Sequence, residues 1–291
     1  TVPWPATPTG AVVLTVLSVA MVVLLRHRRF RELFAAAAAG VALIVVPTRI
    51  IAPGWPAQGW LLTACEVGQG DAMVLSTGEQ GTAVVVDTGP DPGLVDACLD
   101  RLGIGTIPLL VLTHLHADHV DGLVGAMHGR TVGAIAVGPG REPSTAWHDI
   151  QWQAADRGIS VVELKPGIRW ASAELSLNVL GPAKEFVGTD SDPNNDSVVL
   201  MAQRNGEKIL MTGDVEIEAQ QALLNAGVDL DADVLKVPHH GSSKLLDRFV
   251  RAVSPSVAVI GVGVDNDYGH PSPRALDLLA RDGVQSVLRT D

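Results

Sequence analysis

Four short apolar runs in this chain each break off into polar residues of types that can bind metals or turn tightly. Val84-Val85-Val86 leads into Asp87-Thr88-Gly89, and Leu109–Leu112 leads into Thr113-His114-Leu115-His116-Ala117-Asp118-His119. Ile209–Met211 leads into Thr212-Gly213-Asp214, and Val234–Val237 into Pro238-His239-His240-Gly241. Runs of this length and composition read as strands, so the polar residues sit at strand ends, on the loops of a rigid sheet where binding groups concentrate. Further strand-like runs are Leu61–Cys65, Met73–Ser76, Ala134–Val137, Val161–Leu164, Leu175–Leu180, Val198–Ala202 and Val257–Ile260. Helical periodicity falls between them at Leu94–Leu102, Val120–Met127, Ala146–Arg157, Ile217–Asn225, Leu245–Val253 and Arg274–Arg281. Alternation of this kind predicts one α/β unit over residues 57–291, without internal repeats.

The first 52 residues are of another kind. The runs 11–25 and 33–47 carry no charge, and Arg26-His27-Arg28-Arg29-Phe30-Arg31 lies between them. Each run is short for a span of about 20 residues, but extension through Pro8–Gly10 and Thr48–Ala52 brings both into range. The pattern predicts a tight hairpin of two transmembrane helices over residues 1–52; a pair of buried core helices is the alternative. An export signal would place its basic stretch before a single apolar run. If both segments span, the arginine loop stays in the cytoplasm and everything after residue 52 lies outside. The chain begins on Thr1 and stops on Arg289-Thr290-Asp291, and is expected to be a piece of a longer protein.

Charge narrows the function. Residues 1–52 hold five arginines and one acid, a balance of +4 within a total of −11, which leaves −15 on the rest. So acidic a surface cannot grip duplex DNA through a broad basic patch. A polyanion would have to be held locally, by metal ions or a few cations. The two cysteines, Cys65 and Cys98, are too few for a disulfide scaffold and are not spaced for zinc; a bridge and two separate thiols are both open.

His114-x-His116-x-Asp118-His119 places three imidazoles and a carboxylate within six residues just after a strand, a donor set suited to Zn, Mn or Fe. Asp214 is the kind of carboxylate that bridges two metals, and His239 or His240 supplies another imidazole. A lone histidine is usually structural, but these groups cluster on three strand ends. Two divalent ions, Mn or Zn, are therefore expected.

The segment resembles the signature of the metallo-β-lactamase superfamily, whose fold is a four-layer αβ/βα sandwich. Glu66-Val67-Gly68-Gln69-Gly70-Asp71, Asn194-Asn195-Asp196-Ser197-Val198-Val199-Leu200, Leu235-Lys236-Val237-Pro238-His239-His240-Gly241-Ser242 and Tyr268-Gly269-His270-Pro271 are similar to the C-terminal domain of the ComEC family of DNA-uptake channels. Glu66 stands where that family usually has aspartate. The resemblance covers about residues 57–291, and a hairpin upstream fits the end of a channel domain.

The resemblance implies one metal at His114 and His116 and a second at Asp118 and His119, with Asp214 bridging and His239 or His240 completing the second site. Lactamases and thioesterases of the superfamily add a third histidine to the first metal. The corresponding loop here, Asp190–Ser197, has none, so Asn195 or Asp196 is expected to substitute and to tilt the site toward Mn²⁺. His128 and His148 are expected on the surface. Asp71 and Asp87 are expected to orient ligand histidines. Asp118 and Asp214 would carry catalysis, and Lys236 and His270 would hold a phosphate.

The implied activity is metal-dependent hydrolysis of a phosphodiester, by an extracellular DNase that degrades the non-transforming strand during competence DNA uptake. The expected partners are DNA, the membrane and other components of the uptake channel. Alternatives are a phosphodiesterase or phosphorylcholine esterase acting on envelope polymers, and a non-catalytic docking domain. The intact donor residues speak against the last.

Overall fold

A computed structural model describes residues 12–15, 18, 23, 26–36, 39–40, 55–264 and 266–291. The chain divides into two units, Thr1–Ala57 and Gln58–Asp291. Of the first unit, residues 12–15 and 28–36 are helical. The two runs read as spans lie largely outside the described residues. No helix among the described residues is long and apolar enough to cross a membrane.

The second unit is built on two sheets. Strands β1 (Leu62–Ala64), β2 (Met73–Ser76), β3 (Ala83–Val86), β5 (Leu110–Leu112), β7 (Ala134–Val137) and β8 (Ser160–Glu163) form the first, in that order. The second runs β15 (Ser286–Arg289), β14 (Val257–Ile260), β13 (Val234–Lys236), β12 (Glu207–Met211), β11 (Val199–Arg204), β10 (Leu175–Gly181), β9 (Arg169–Ser172). A small parallel pair, β4 (Thr106–Ile107) with β6 (Thr131–Val132), stands apart. Strands β3, β5, β7 and β8 are mutually parallel, as are β12 to β15. The remaining ladders are antiparallel.

Side chains alternate across each strand, and the alternation sorts the core into layers. Met73, Leu75, Val84, Val86 and Val111 meet Leu177, Val179, Leu200, Ile209 and Met211 in the core between the sheets. Val74, Val85, Leu110 and Leu112 point the other way, under helices α1 (Pro92–Leu102), α2 (Ala117–Val120), α3 (Leu123–Met127) and α4 (Ser144–Asp156). Val199, Leu210 and Leu235 likewise lie under α6 (Ile217–Ala226), α7 (Asp247–Val253) and α8 (Pro273–Arg281). The layers are thus helix, sheet, sheet, helix. Helix α5 (Asp192–Asn195) is a single turn ahead of β11. Cys65 and Cys98 form a disulfide that ties the segment after β1 to α1.

The eleven strand runs and six helical stretches read from the sequence all occur, with ends that coincide or shift by at most two residues. Val120–Met127 is the exception: it is two short helices broken at Asp121-Gly122. The strands that periodicity missed, β4, β6, β9 and β15, are two residues long or lie at an exposed edge, where no core dictates an apolar pattern.

Candidate metal centre

The parallel strands deliver their loops to one place. After β5 the chain extends through Thr113-His114 and enters α2 at His116, whose side chain makes no capping bond. Its ring therefore remains available: His114 Nε2 and His116 Nδ1 lie 3.1 Å apart. Asp118 and His119 fall in the first turn of α2. Asp214 follows β12 through Gly213, whose φ of +50° favours glycine and whose added Cβ would meet Ser197 and Thr113. After β13, His239 and His240 both adopt left-handed backbone, at φ 49° and 51°. Such strain in consecutive non-glycine residues needs surrounding structure to hold it and is concentrated at functional sites.

This bend separates the two imidazoles. His240 is buried and its Nε2 lies 3.2 Å from Asp118 Oδ2 and 3.3 Å from Asp214 Oδ2. His119 Nε2 lies 3.3 Å from Asp214 Oδ2 and 3.7 Å from Asp118 Oδ2. A tetrahedron of ligands around zinc, at bond lengths near 2.1 Å, has edges of about 3.4 Å. Asp118, His119, Asp214 and His240 therefore form a cage of metal size. His119 Nε2 is buried without a hydrogen-bond partner, as suits a nitrogen reserved for a cation. The ring tautomers agree: His119 Nδ1 lies 2.9 Å from Asp87 Oδ2 and His240 Nδ1 lies 2.8 Å from the Gly261 carbonyl. Protons on both Nδ1 atoms leave both Nε2 lone pairs to the cage. The donors present thus fit a divalent ion.

Asp71 lies close enough to His119, Asp214 and His240 to count as a fourth donor. It faces the Nδ1 side of both rings, however, at 3.5 Å from His240 and 4.0 Å from His119. Asp118 is on the Nε2 side, and it is Asp118 that closes the cage. Asp87 meets His119 Nδ1 at hydrogen-bond distance, and Asp71 lies beside both rings but farther off.

His114 and His119 have ring centroids 4.2 Å apart, so the His114/His116 pair adjoins the cage as a second candidate position. Its third ligand does not come from Asn195 or Asp196. Asn195 is fully buried and its Oδ1 accepts from the backbone nitrogens of Glu216 and Ala219. Asp196 accepts from Phe186 N, and burial pushes its carboxyl up to about 6. The side chain of this segment that meets His114 is Ser197, whose Oγ lies 3.2 Å from Nδ1, the nitrogen not facing His116. Both expected substitutes are instead structural, because the one-turn helix α5 directs them into the loop and toward α6.

Lys236 also departs from expectation. It is 1% exposed, ion-paired with Asp71 and with Asp214 Oδ1 at 3.3 Å, and it donates to the Gly213 carbonyl at 2.8 Å. Its ammonium is a buried counter-ion beneath the cage, out of reach of a substrate phosphate. His270 is half-buried beside His239 and His240, at 5.3 and 6.5 Å between ring centroids. Burial, then the charges of His239 and His240, push it down to about 4. It lines the site as a neutral imidazole.

His239 faces the opening, 24% exposed, with Nδ1 3.2 Å from Glu216 Oε1 and Nε2 4.0 Å from Asp214 Oδ2. Lys244 and Asn194 hold Glu216 in turn, at 2.5 and 3.0 Å. Ser197 and Glu216 were not singled out from sequence; the position of Glu216, two residues past Asp214, was the available signal. His128 is exposed and paired with Asp96, and His148 is exposed on α4.

The charged groups of the cage shift one another's titration. Burial would depress His119 and His240, but the neighbouring carboxylates, Asp214 foremost, outweigh it and hold both well above their ordinary value. Burial would raise Asp214; His240, His119 and Lys236 hold it well below the usual carboxylate range. His114, farther from the acids, is driven well below its ordinary value by burial and by His119.

Comparison with known proteins gives the family and the fold. Residues 65–263 match the Metallo-beta-lactamase superfamily, and the chain belongs to it. The chain is 29% identical over 245 residues to ComE operon protein 3 of Bacillus subtilis, covering 78% of this chain and 31% of that protein. It is 27% identical over 238 residues to Competence protein ComA of Neisseria gonorrhoeae, covering 79% of this chain and 31% of that one. It thus spans about a third of these relatives. Among solved structures, the metallo-beta-lactamase fold protein YhfI from Bacillus subtilis superposes with a TM-score of 0.52 at 10% identity, over 78% of this chain and 96% of that one.

Proposed function

We propose that this member of the superfamily is a metal-dependent phosphodiesterase that cuts DNA outside the cell during competence DNA uptake. The observation that carries the reading is the cage of Asp118, His119, Asp214 and His240 beside the His114/His116 pair. Two adjacent divalent ions, Mn²⁺ or Zn²⁺, would lower the pKa of a bound water and neutralise charge developing on a phosphodiester. The chain's own part is to fix the donors. Lys236 holds Asp214 Oδ1 and so leaves Oδ2 to the cage, while Asp87 and Asp71 set the rings of His119 and His240. His239 and His270 present imidazoles where a substrate enters.

The names of the competence relatives support DNA as substrate and a DNA-uptake channel as setting. Outward placement is supported by the arginine-rich loop 26–31 and by the disulfide, which persists in oxidising compartments. The full chain, loaded with Mn²⁺ or Zn²⁺, should hydrolyse linear DNA and bis-p-nitrophenyl phosphate. Activity confined to a choline-phosphate ester would replace DNA as substrate, and no hydrolysis of any would leave a docking domain. A cysteine near Gly78-Glu79, in a background lacking Cys65 and Cys98, should react with an impermeant maleimide on intact cells; labelling only after lysis would overturn the outward orientation.

A further inference from the structure

Tyr268 is the chain's one tyrosine, and it is 74% exposed. Scattered exposed aromatics are ordinary, but this one has a particular neighbour. Its ring stacks on His270 at 6.1 Å between centroids and 26° between planes. His270 in turn stacks on His240 at 6.5 Å and 25°. Two successive ring stacks therefore lead from solvent to a donor of the metal cage. The segment carrying Tyr268 and His270 is braced. Asn266 Nδ2 donates to the carbonyls of Gly263 and His270, Asn266 Oδ1 accepts from His270 N, and Gly263 N donates to Gln69 Oε1.

The geometry points to Tyr268 as an aromatic platform on which an unpaired nucleobase stacks beside the scissile phosphate. This rests on the nuclease reading above and adds the form of the substrate. A unit carrying −15 outside residues 1–52 gains little from phosphate contacts, whereas stacking uses the π-face of a base and tolerates any sequence. A base inside a duplex has both faces covered. Tyr268 can take only one that has left the stack, so the strand is single or frayed where it is cut.

The test uses the full chain loaded with Mn²⁺ and a single-stranded oligonucleotide containing 2-aminopurine. Tyr268→Leu should raise the single-strand KM about 5- to 100-fold, the range expected for one base–aromatic stack. It should also abolish quenching of 2-aminopurine on binding. Tyr268→Phe keeps the ring and should retain both properties. The KM effect should shrink when the nucleotides around the cut are abasic. Unchanged KM and quenching in Tyr268→Leu, or an equal loss in Tyr268→Phe, would overturn the platform. Failure of the unaltered chain to cut any DNA would remove the nuclease reading. Quenching would then decide the platform separately: present in the unaltered chain and lost in Tyr268→Leu, it stands; absent from both, it falls.

Discussion

Replacing Lys236 by methionine removes one charge and little volume, which isolates the electrostatic role of the residue. The ammonium is enclosed by Asp71, Asp214 and the Gly213 carbonyl. Burial alone would lower its pKa, yet Asp71 and Asp214 raise it above the ordinary lysine value. Without it, two buried carboxylates lose their cation and one carbonyl loses its donor. Removing one partner of a buried ion pair costs about 3–5 kcal/mol, because the other charge remains desolvated. For a unit of this size each kcal/mol shifts Tm by roughly 2–4 °C, so Lys236→Met should melt roughly 6–20 °C lower in EDTA. Mn²⁺ should recover part of the loss, since it restores positive charge beside Asp214 but not beside Asp71. Adding Asp71→Asn should cost less than the two single changes sum to, with a coupling of about 1 kcal/mol or more. A loss under about 1 kcal/mol, or strict additivity in that cycle, would refute the buried counter-ion.

Other consequences are as direct. His240→Ala should lose one tightly bound Mn²⁺ per chain by elemental analysis, and His239→Ala should lose none; the reverse would exchange their places. Metal titration should fill the four-donor cage before the His114/His116 pair, which has two imidazoles and no third ligand from Asn195 or Asp196, so two equal tight sites would contradict it. In the metal-free chain, His119 and His240 contribute stability that is present below about pH 6.5 and lost as pH rises through their elevated folded values. Metal displaces those protons, so the Tm gain on adding Mn²⁺ should grow from pH 6 to pH 9, and a constant gain would refute the linkage. The Cys65–Cys98 bridge closes a loop of 33 residues; replacing both cysteines by alanine should cost about 3–4 kcal/mol in urea titrations on the chain-entropy estimate, and an unchanged midpoint would count against the bridge.

What the sequence made legible was whatever a periodic rule or a local motif encodes. Val84-Val85-Val86 before Asp87 reads as a buried strand delivering a carboxylate, and the structure places Asp87 under His119. The spacing His114-x-His116 reads as paired ligands because a loop can aim residues i and i+2 at one point, as their 3.1 Å contact shows. Long-range choices were not legible. His239 and His240 are adjacent and alike, and only the left-handed backbone after β13 sends one inward and the other to the opening. Lys236 ends a strand, where lysine usually meets water; two aspartates distant in sequence, Asp71 and Asp214, make it a core residue. Asn195 and Asp196 lie in the right segment for a ligand, but a single helical turn directs them elsewhere and brings Ser197 to His114.

The cage draws its donors from both halves of the sandwich. Asp118 and His119 follow β5 of the first sheet, while Asp214 and His240 follow β12 and β13 of the second. The supporting groups cross in the same way: Asp71 and Asp87, before and after β2 and β3, reach histidines of both halves, and Lys236 of the second half pairs with Asp71 of the first. A metal bound here would act as a cross-link between the sheets as well as a reactive centre, and its binding free energy would add to the stability of their packing. This accounts for the buried lysine. Four aspartates gathered at the seam would repel one another, and the fixed ammonium of Lys236, together with the raised pKa values of His119 and His240, offsets that repulsion. Protons on the two imidazoles would leave if a metal bound, whereas Lys236, having no place among the donors, would stay. The same residues that prepare the site for a cation therefore keep the two halves in register without one.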